Sequence, residues 1–208
     1  MSTEQSNNLS ELLQRHRGTH HSAAAPAADG FYPTLKTQRF SFRQFRFSDI
    51  EPLAALASEH RIADTTIGVP HPYTAEFARM WISSHATAWE DRRALHWAAL
   101  KIGDQRIAGY AGLDPIDTHR GHAQLRFWVG CGVERKSDAV EWSEAILYFA
   151  LTELNLRRIY ALQLQRHPLA GHVLAAIGMQ PEGLVRKRIH KEGLVEDIVC
   201  WAIVGNDS

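Results

Sequence analysis

A mixed α/β domain is the fold class this sequence predicts. Three observations carry it. Short runs alternate apolar and polar residues, as at Phe40 and Phe42 in TQRFSFRQF. Longer runs repeat apolar residues at helical spacing, as at Phe77, Met80, Trp81 and Ala88. Both kinds interleave along one chain of 208 residues with 45% apolar content, enough for one core of ordinary size.

The elements follow in order. Residues 1–34 read as a flexible N-terminal segment: Ser10 can cap a short helix over ELLQRHR, and THHSAAAPAADG, broken by Pro26 and Gly30, reads as a linker. His16, His20 and His21 lie close together there, but Gly18 weakens a helix across them and no cysteine is near, so no metal site is expected. Residues 35–208 form the folded domain. A strand holds Phe40 and Phe42, and Ser48 caps an amphipathic helix over SDIEPLAALASEH. Pro70 and Pro72 make a loop before one helix over TAEFARMWISSHATAWEDR. Two strands joined by a Gly103-Asp104-Gln105 turn come next, then the strand HAQLRFWVG, a helix over about 139–153 and the strand RRIYALQLQ. A helix ended by Gly178 and a closing hairpin turning at KEG complete the order β-α-α-β-β-β-α-β-α-β-β.

Charge and cysteine usage exclude several classes. Basic and acidic residues number 23 each, so bulk charge does not drive nucleic-acid binding. Cys131 and Cys200 stand far apart, and Cys200 in IVCWAIV reads as a buried strand thiol. No apolar run is long enough to span a membrane, and the N-terminus has no apolar signal core, so a soluble cytoplasmic protein is expected.

The most informative stretch is VGCGVERKSDAVEWSEAILYFA, residues 129–150: a strand end, a short charged loop and a helix start. Such a junction can cradle a phosphate on backbone N–H groups at the helix N-terminus. Around it, a series of segments appears in order: LKTQRFSFR, PHPYT leading to Trp81-Ile82, IAGYAGL, FWVG followed by Glu141, LNLRRIYA, IGM, EGLVR, then Gly193 and Asp197. In that order and spacing, from about Leu35 to Val204, the chain resembles the GNAT acyltransferase superfamily. The branch it is most similar to is the Rim-type N-acetyltransferases, which acetylate protein N-termini and small amines.

The resemblance implies a GNAT fold: a mixed, mostly antiparallel sheet flanked by helices, with two strands splayed into a V-shaped acyl-CoA cleft. It implies acetyl-CoA or another acyl-CoA as cosubstrate, no metal, and an amine-bearing small molecule or peptide as acceptor, in a monomer or homodimer. Trp128, Val129, Gly130, Arg135, Lys136, Ser137, Asp138, Ala139 and His167 take the cofactor-binding positions. The amine attacks the thioester directly, a backbone N–H on the splayed strand stabilises the oxyanion, and a base or water chain takes the proton.

Three departures from the family pattern stand out. The family loop reads Q/R-x-x-G-x-G/A; here Glu134-Arg135-Lys136-Ser137-Asp138-Ala139 keeps only the final small residue, and Glu134 and Asp138 bring negative charge that Arg135 and Lys136 can offset. The N-x-x-S positions before the later helix hold His167 and Ala170. Ala170 cannot donate a proton to the leaving thiolate; His167 either does so or is an N-cap neighbour set by Pro168. The glutamate that many Rim-type relatives carry near the amine is Gln124, which can hold a water or a substrate but is no base. The remaining candidates for the base are Asp114, Asp117, His119 and His122 in LDPIDTHRGH. The expected catalytic set is therefore His167, His119, Asp117 and Gln124, with Tyr73, Asp114 and Gln124 against the acceptor. Trp142 either packs its helix or narrows the acyl pocket. Two rival readings remain: an acyl carrier protein as donor, or a GNAT-fold binding protein without catalysis.

Overall fold

The computed structural model describes Gln14 and residues 32–130, 136–191 and 193–205. The histidines at 16, 20 and 21, the cap at Ser10, Cys131, and Glu134 and Arg135 of the loop lie outside the described residues. The chain forms strands β1 (Leu35–Lys36) and β2 (Phe40–Gln44), a 3-10 turn (Phe47–Asp49), and helices α1 (Ile50–Ala57), α2 (His60–Thr65), α3 (Ala75–Ser83) and α4 (His85–Glu90). Strands β3 (Leu95–Lys101), β4 (Ile107–Asp117) and β5 (His122–Val129) follow, then α5 (Lys136–Thr152), β6 (Arg158–Leu164), α6 (Pro168–Ala176), β7 (Gln180–Lys191) and β8 (Leu194–Val204). One eight-stranded sheet has the order β1-β2-β3-β4-β5-β6-β8-β7. All neighbours are antiparallel except β5 and β6, which run parallel. This is the mixed, mostly antiparallel sheet expected from the sequence.

The strand alternation sorts side chains onto two faces. Leu95, Trp97 and Ala99 of β3 enter one core with Trp142, Ile146, Leu147 and Phe149 of α5. Ala98 and Leu100 enter the other, with Leu53, Ile62, Ala78 and Ile82 from α1, α2 and α3. Trp142 is fully buried, edge-on to Phe40 at 5.1 Å and to Phe42 at 5.9 Å. Each such ring pair is worth about 1 kcal/mol beyond the area buried. Of the two roles open to Trp142, the structure therefore gives it packing. Its ring lies so close to Gly109 that a Cβ built there would stand 2.8 Å from Trp142 Cζ3.

Several boundaries differ from the sequence expectation. The first helix breaks into α1 and α2 at a turn where Ser58 Oγ donates to the Tyr73 carbonyl at 2.8 Å. The second breaks at Ser84, whose hydroxyl donates back to Trp81 O at 2.7 Å. Asp49, not Ser48, organises the entry to α1: it accepts from Arg46 N–H at 2.7 Å and pairs with Arg43 at 2.6 Å. Helix α5 begins at Lys136, so Lys136, Ser137 and Asp138 belong to its first turn rather than to a loop. Residues before the expected boundary at 35 are tied in as well. Tyr32 Oη donates to His96 O at 2.7 Å, and Trp97 Nε1 donates to Pro33 O at 2.7 Å.

The second core carries an unusual pair. His85 and His96 stack with ring centroids 4.3 Å apart, 1% and 4% exposed. Trp81 and Phe45 pack edge-on to His85, and Tyr110 Oη lies 3.0 Å from His96 Nδ1. Neither ring nitrogen of His85 has a hydrogen-bond partner among the described residues.

Candidate active site

The sheet opens at its one parallel pair. β5 and β6 stay in register for only His122↔Arg158, Ala123↔Ile159 and Gln124↔Tyr160. Beyond Gln124 the two strands diverge, although β5 continues to Val129 and β6 to Leu164. Among the described residues, the β6-facing edge of residues 125–129 has no strand partner, while β4 holds the other edge through Val129. Unpaired backbone of this kind can bond an extended ligand lying between the arms.

A cleft of about 980 Å³, its open mouth included, occupies this fork. One side is Leu125 to Trp128 of β5, the opposite side Ala161 to Leu164 of β6 with Ala170 and Leu174 of α6. Tyr73, Phe77 and Trp81 wall it from α3 and the loop before it, and Thr65 to Val69 form its rim. Two charged side chains line it, Asp114 and Arg126, beside Gln124. Burial pushes up the phenol pKa values of Tyr73 and Tyr110, so both stay protonated and polar only at the hydroxyl.

The strand-to-helix junction lies at the end of the same β5. Arg39, just before β2, grips the first turn of α5. Its backbone N–H donates to Glu141 Oε1 at 3.0 Å, its Nε to Glu141 Oε2 at 2.6 Å, and its Nη2 to the Ser137 carbonyl at 3.2 Å. A further close ion pair joins it to the buried Asp138. Negative charge at this helix end is therefore countered from within the fold, by a residue about a hundred positions upstream.

Comparison with known proteins agrees with this geometry. Residues 39–180 match the family described as acetyltransferase (GNAT) domain, which is more than half of the chain. The chain belongs to the GNAT acetyltransferase family. Among curated GNAT relatives, the probable N-acetyltransferase YjcK of Bacillus subtilis (strain 168) is 28% identical over 180 residues, covering 83% of this chain and 98% of that protein. The ribosomal-protein-S5-alanine acetyltransferase from Vibrio fischeri superposes with a TM-score of 0.75 at 18% identity, covering 84% and 97%. RimL, the ribosomal L7/L12 alpha-N-protein acetyltransferase in complex with coenzyme A, gives a TM-score of 0.74 at 13% identity, covering 81% and 96%. The chain is thus a GNAT-type N-acyltransferase, and its structural neighbours include Rim-type enzymes.

Within this GNAT cleft the structure brings together some of the expected residues and not others. Gln124, Trp128, Tyr73 and Asp114 all line it. Val129 and Gly130 stand just beyond the lining, at the end of β5; the Val129 carbonyl accepts from Arg61 at 3.3 Å, and Gly130 N–H donates to Ala108 O at 2.8 Å. Lys136 and Ser137 are exposed at the start of α5, and Ala139 is buried. Asp117 and His119 stand outside the lining, on the hairpin where β5 and β6 still pair. Asp117 accepts from Arg120 N–H at 2.8 Å, which holds its carboxyl pKa below the usual range, and His119 is exposed. His122 lies near Asp117, 3.9 Å from its carboxylate.

His167 also stands outside the lining, as the residue before Pro168 at the start of α6. Its Nε2 faces Arg166 and lies 3.4 Å from Asp64, while its carbonyl accepts from Gln163 Nε2 at 2.9 Å. Arg166 in turn pairs with Asp64 of α2 at 2.8 Å and Glu196 of β8 at 2.5 Å, joining the β6 arm to the opposite rim.

Sequence reading missed Arg126, Arg39 and Tyr110. Arg126 was within reach, because it lies in phase with Gln124 and Trp128 on an alternating strand. Arg39 has no local signal. Among the described residues no group of three or more His, Cys, Asp or Glu is placed to hold a metal ion, and no helix is long and apolar enough to cross a membrane.

Proposed function

We propose that this enzyme transfers the acetyl group of acetyl-CoA to the primary amine of a small molecule or peptide held in the β5–β6 cleft. The observation that carries this reading is the fork itself: a parallel pair that ends at Gln124↔Tyr160 and opens onto an apolar cleft holding one carboxylate. The pantetheine arm lies along the free edge of residues 125–129, and the diphosphate meets the N-terminus of α5, whose backbone dipole favours anions. The amine nitrogen attacks the thioester carbonyl carbon, and a β5 backbone N–H holds the oxygen as negative charge develops there. The C–S bond then breaks. The ammonium proton goes to Asp114, directly or through a water held by Gln124, and the departing thiolate takes a proton from water, since Ala170 has none to give.

Titration calorimetry with acetyl-CoA, followed by detection of free thiol on adding primary amines, tests the reading. Micromolar binding, worth about 8 kcal/mol, and amine-dependent thiol release are expected. Absence of both overturns it, and transfer from an acylated carrier protein alone would favour that donor instead.

The Arg39 clamp favours the nucleotide donor, because it removes the charge conflict that the loop sequence presents. Arg39→Leu is expected to lower stability by about 2 kcal/mol, because it strands two mostly buried carboxylates. It is also expected to weaken acetyl-CoA binding roughly tenfold, since those carboxylates then face the diphosphate. Adding Asp138→Asn should recover part of both effects. Unchanged affinity in the single variant would show that the diphosphate lies elsewhere.

A further inference from the structure

The two charged residues of the cleft are paired in a way that leaves one of them incomplete. Arg126 Nη1 stands 3.7 Å from Asp114 Oδ2, too far for a hydrogen bond. The other arginines that meet carboxylates inside the fold do so closely: Arg43 with Asp49 at 2.6 and 3.0 Å, Arg166 with Asp64 at 2.8 Å. The Nε of Arg126 is buried and has no hydrogen-bond acceptor among the described residues. A guanidinium binds a carboxylate through two parallel N–H groups, and the side that includes Nε is here unused.

The position of this side chain gives the gap a meaning. Arg126 projects from β5 two residues after Gln124 and two before Trp128, into the same cleft. Asp114 projects from β4 at a break in register between Leu113 and Ile116. The side chains of Arg126 and Asp114 are 37% and 35% exposed, so a ligand can reach both. Around them the walls are apolar and aromatic: Tyr73, Phe77, Trp81 and Trp128. An opposite-charge pair a few ångströms apart, loosely engaged and ringed by apolar surface, complements a ligand carrying the opposite pair on an apolar body.

We propose that Arg126 selects an acceptor whose amine sits beside a carboxylate, an apolar α-amino acid, with the carboxylate on the exposed Nη groups of Arg126 and the amine at Asp114. This rests on the acetyl-transfer reading and adds the acceptor class to it. A neutral amine of the same shape leaves the guanidinium without a carboxylate partner among apolar walls, and that difference generates selectivity.

The test compares L-phenylalanine with L-phenylalaninamide, and L-leucine with L-leucinamide, at saturating acetyl-CoA. Each pair differs only in the charge beside the amine. The amide amine is the less basic and more of it is free near neutral pH, so intrinsic reactivity runs against the acid. The acid is expected to win in kcat/KM by a factor of ten or more, mainly through KM. Arg126→Gln is expected to bring that ratio down at least tenfold, and Arg126→Lys to keep part of it, since an ammonium cannot form the forked contact. Thermal melting confirms that both variants are folded. Equal use of acid and amide, a ratio that survives Arg126→Gln, or no acetylation of either acid while acetyl-CoA binds normally overturns the inference. Failure to bind acetyl-CoA at all overturns the acetyl-transfer reading beneath it, and the inference with it.

Discussion

Between pH 6.5 and pH 5 the folded state is expected to lose about 3 kcal/mol of stability, and His85 and His96 carry that loss. Burial holds the pKa of His85 down to about 2, with the neighbouring His96 adding to the effect. Burial also lowers His96, to about 4; the Asp114 carboxylate opposes that shift and Arg126 reinforces it. Both folded values lie below the unfolded value of 6.5. Well above pH 6.5 both states hold neutral rings, and these histidines add no pH dependence there. Below it the unfolded chain takes up two protons that the folded chain refuses, and stability falls as pH falls. Because the unfolded imidazole is half protonated at pH 6.5 and almost fully so at pH 5, this window costs about 1.5 kcal/mol for each group. The carboxylates that the fold holds at low pKa, Asp64, Asp117 and Glu182, contribute stability above their unfolded values, so theirs is lost only as pH falls towards 4 and below. Urea unfolding at pH 7, 6.5, 6 and 5 measures the slope. His85→Phe, with an uncharged ring among Trp81, Phe45 and His96, is expected to halve it whatever it does to stability at pH 7. A flat profile between pH 6.5 and 5 would mean that neither imidazole resists protonation in the folded protein.

Asp114→Asn is expected to reduce kcat/KM for amine acetylation by about 10²- to 10⁴-fold, the range typical of a lost general base. Asp114 is the carboxylate among the side chains lining the cleft, and the asparagine keeps its shape while removing its capacity to accept a proton. Its partner Arg126 is more than a third exposed, so losing this loose pair should change the melting temperature little. Acetyl-CoA binding should persist, because the proposed pantetheine and diphosphate contacts lie along β5 and at α5. Gln124→Ala should cost less, about tenfold, since a water can occupy the place of the amide. If Asp114→Asn turns over within threefold of the parent, the proton leaves the amine by another route, and Asp114 only positions the acceptor.

Both predictions depend on side chains that the sequence presents without their surroundings. His96 reads there as one residue of an apolar strand, LHWAAL, and His85 as one residue of a helix. Their stacking joins α4 to β3 and becomes visible only in the folded protein. Gln124 was legible as a site residue because it takes the position of the glutamate that many Rim-type relatives carry, and Asp114 because it opens the loop LDPIDTHRGH, expected to face the acceptor; both line the cleft. Asp117, His119 and His167 had the same chemical credentials in the sequence. What separates them from Asp114 is where β5 and β6 part. The hairpin residues fall beside the paired section of the fork, and His167 turns towards Arg166 and Asp64.

The sequence by itself determined the fold class, the order of the seven strands from β2 to β8 and the family, but not the short strand β1 or the division of the first helices into four. All of these rest on local periodicity, turn residues and the spacing of segments, which act over a few residues at a time. Only the tertiary structure decided how the charges are shared. Arg39 reaches Asp138 and Glu141 across the sheet and turns an apparent obstacle to anion binding into a clamped helix end. Arg126 meets Asp114 across two strands, and Arg166 ties Asp64 to Glu196. Such pairings depend on distances of a few ångströms between residues far apart in the chain, and electrostatic energy at that range follows spatial separation and burial rather than sequence separation.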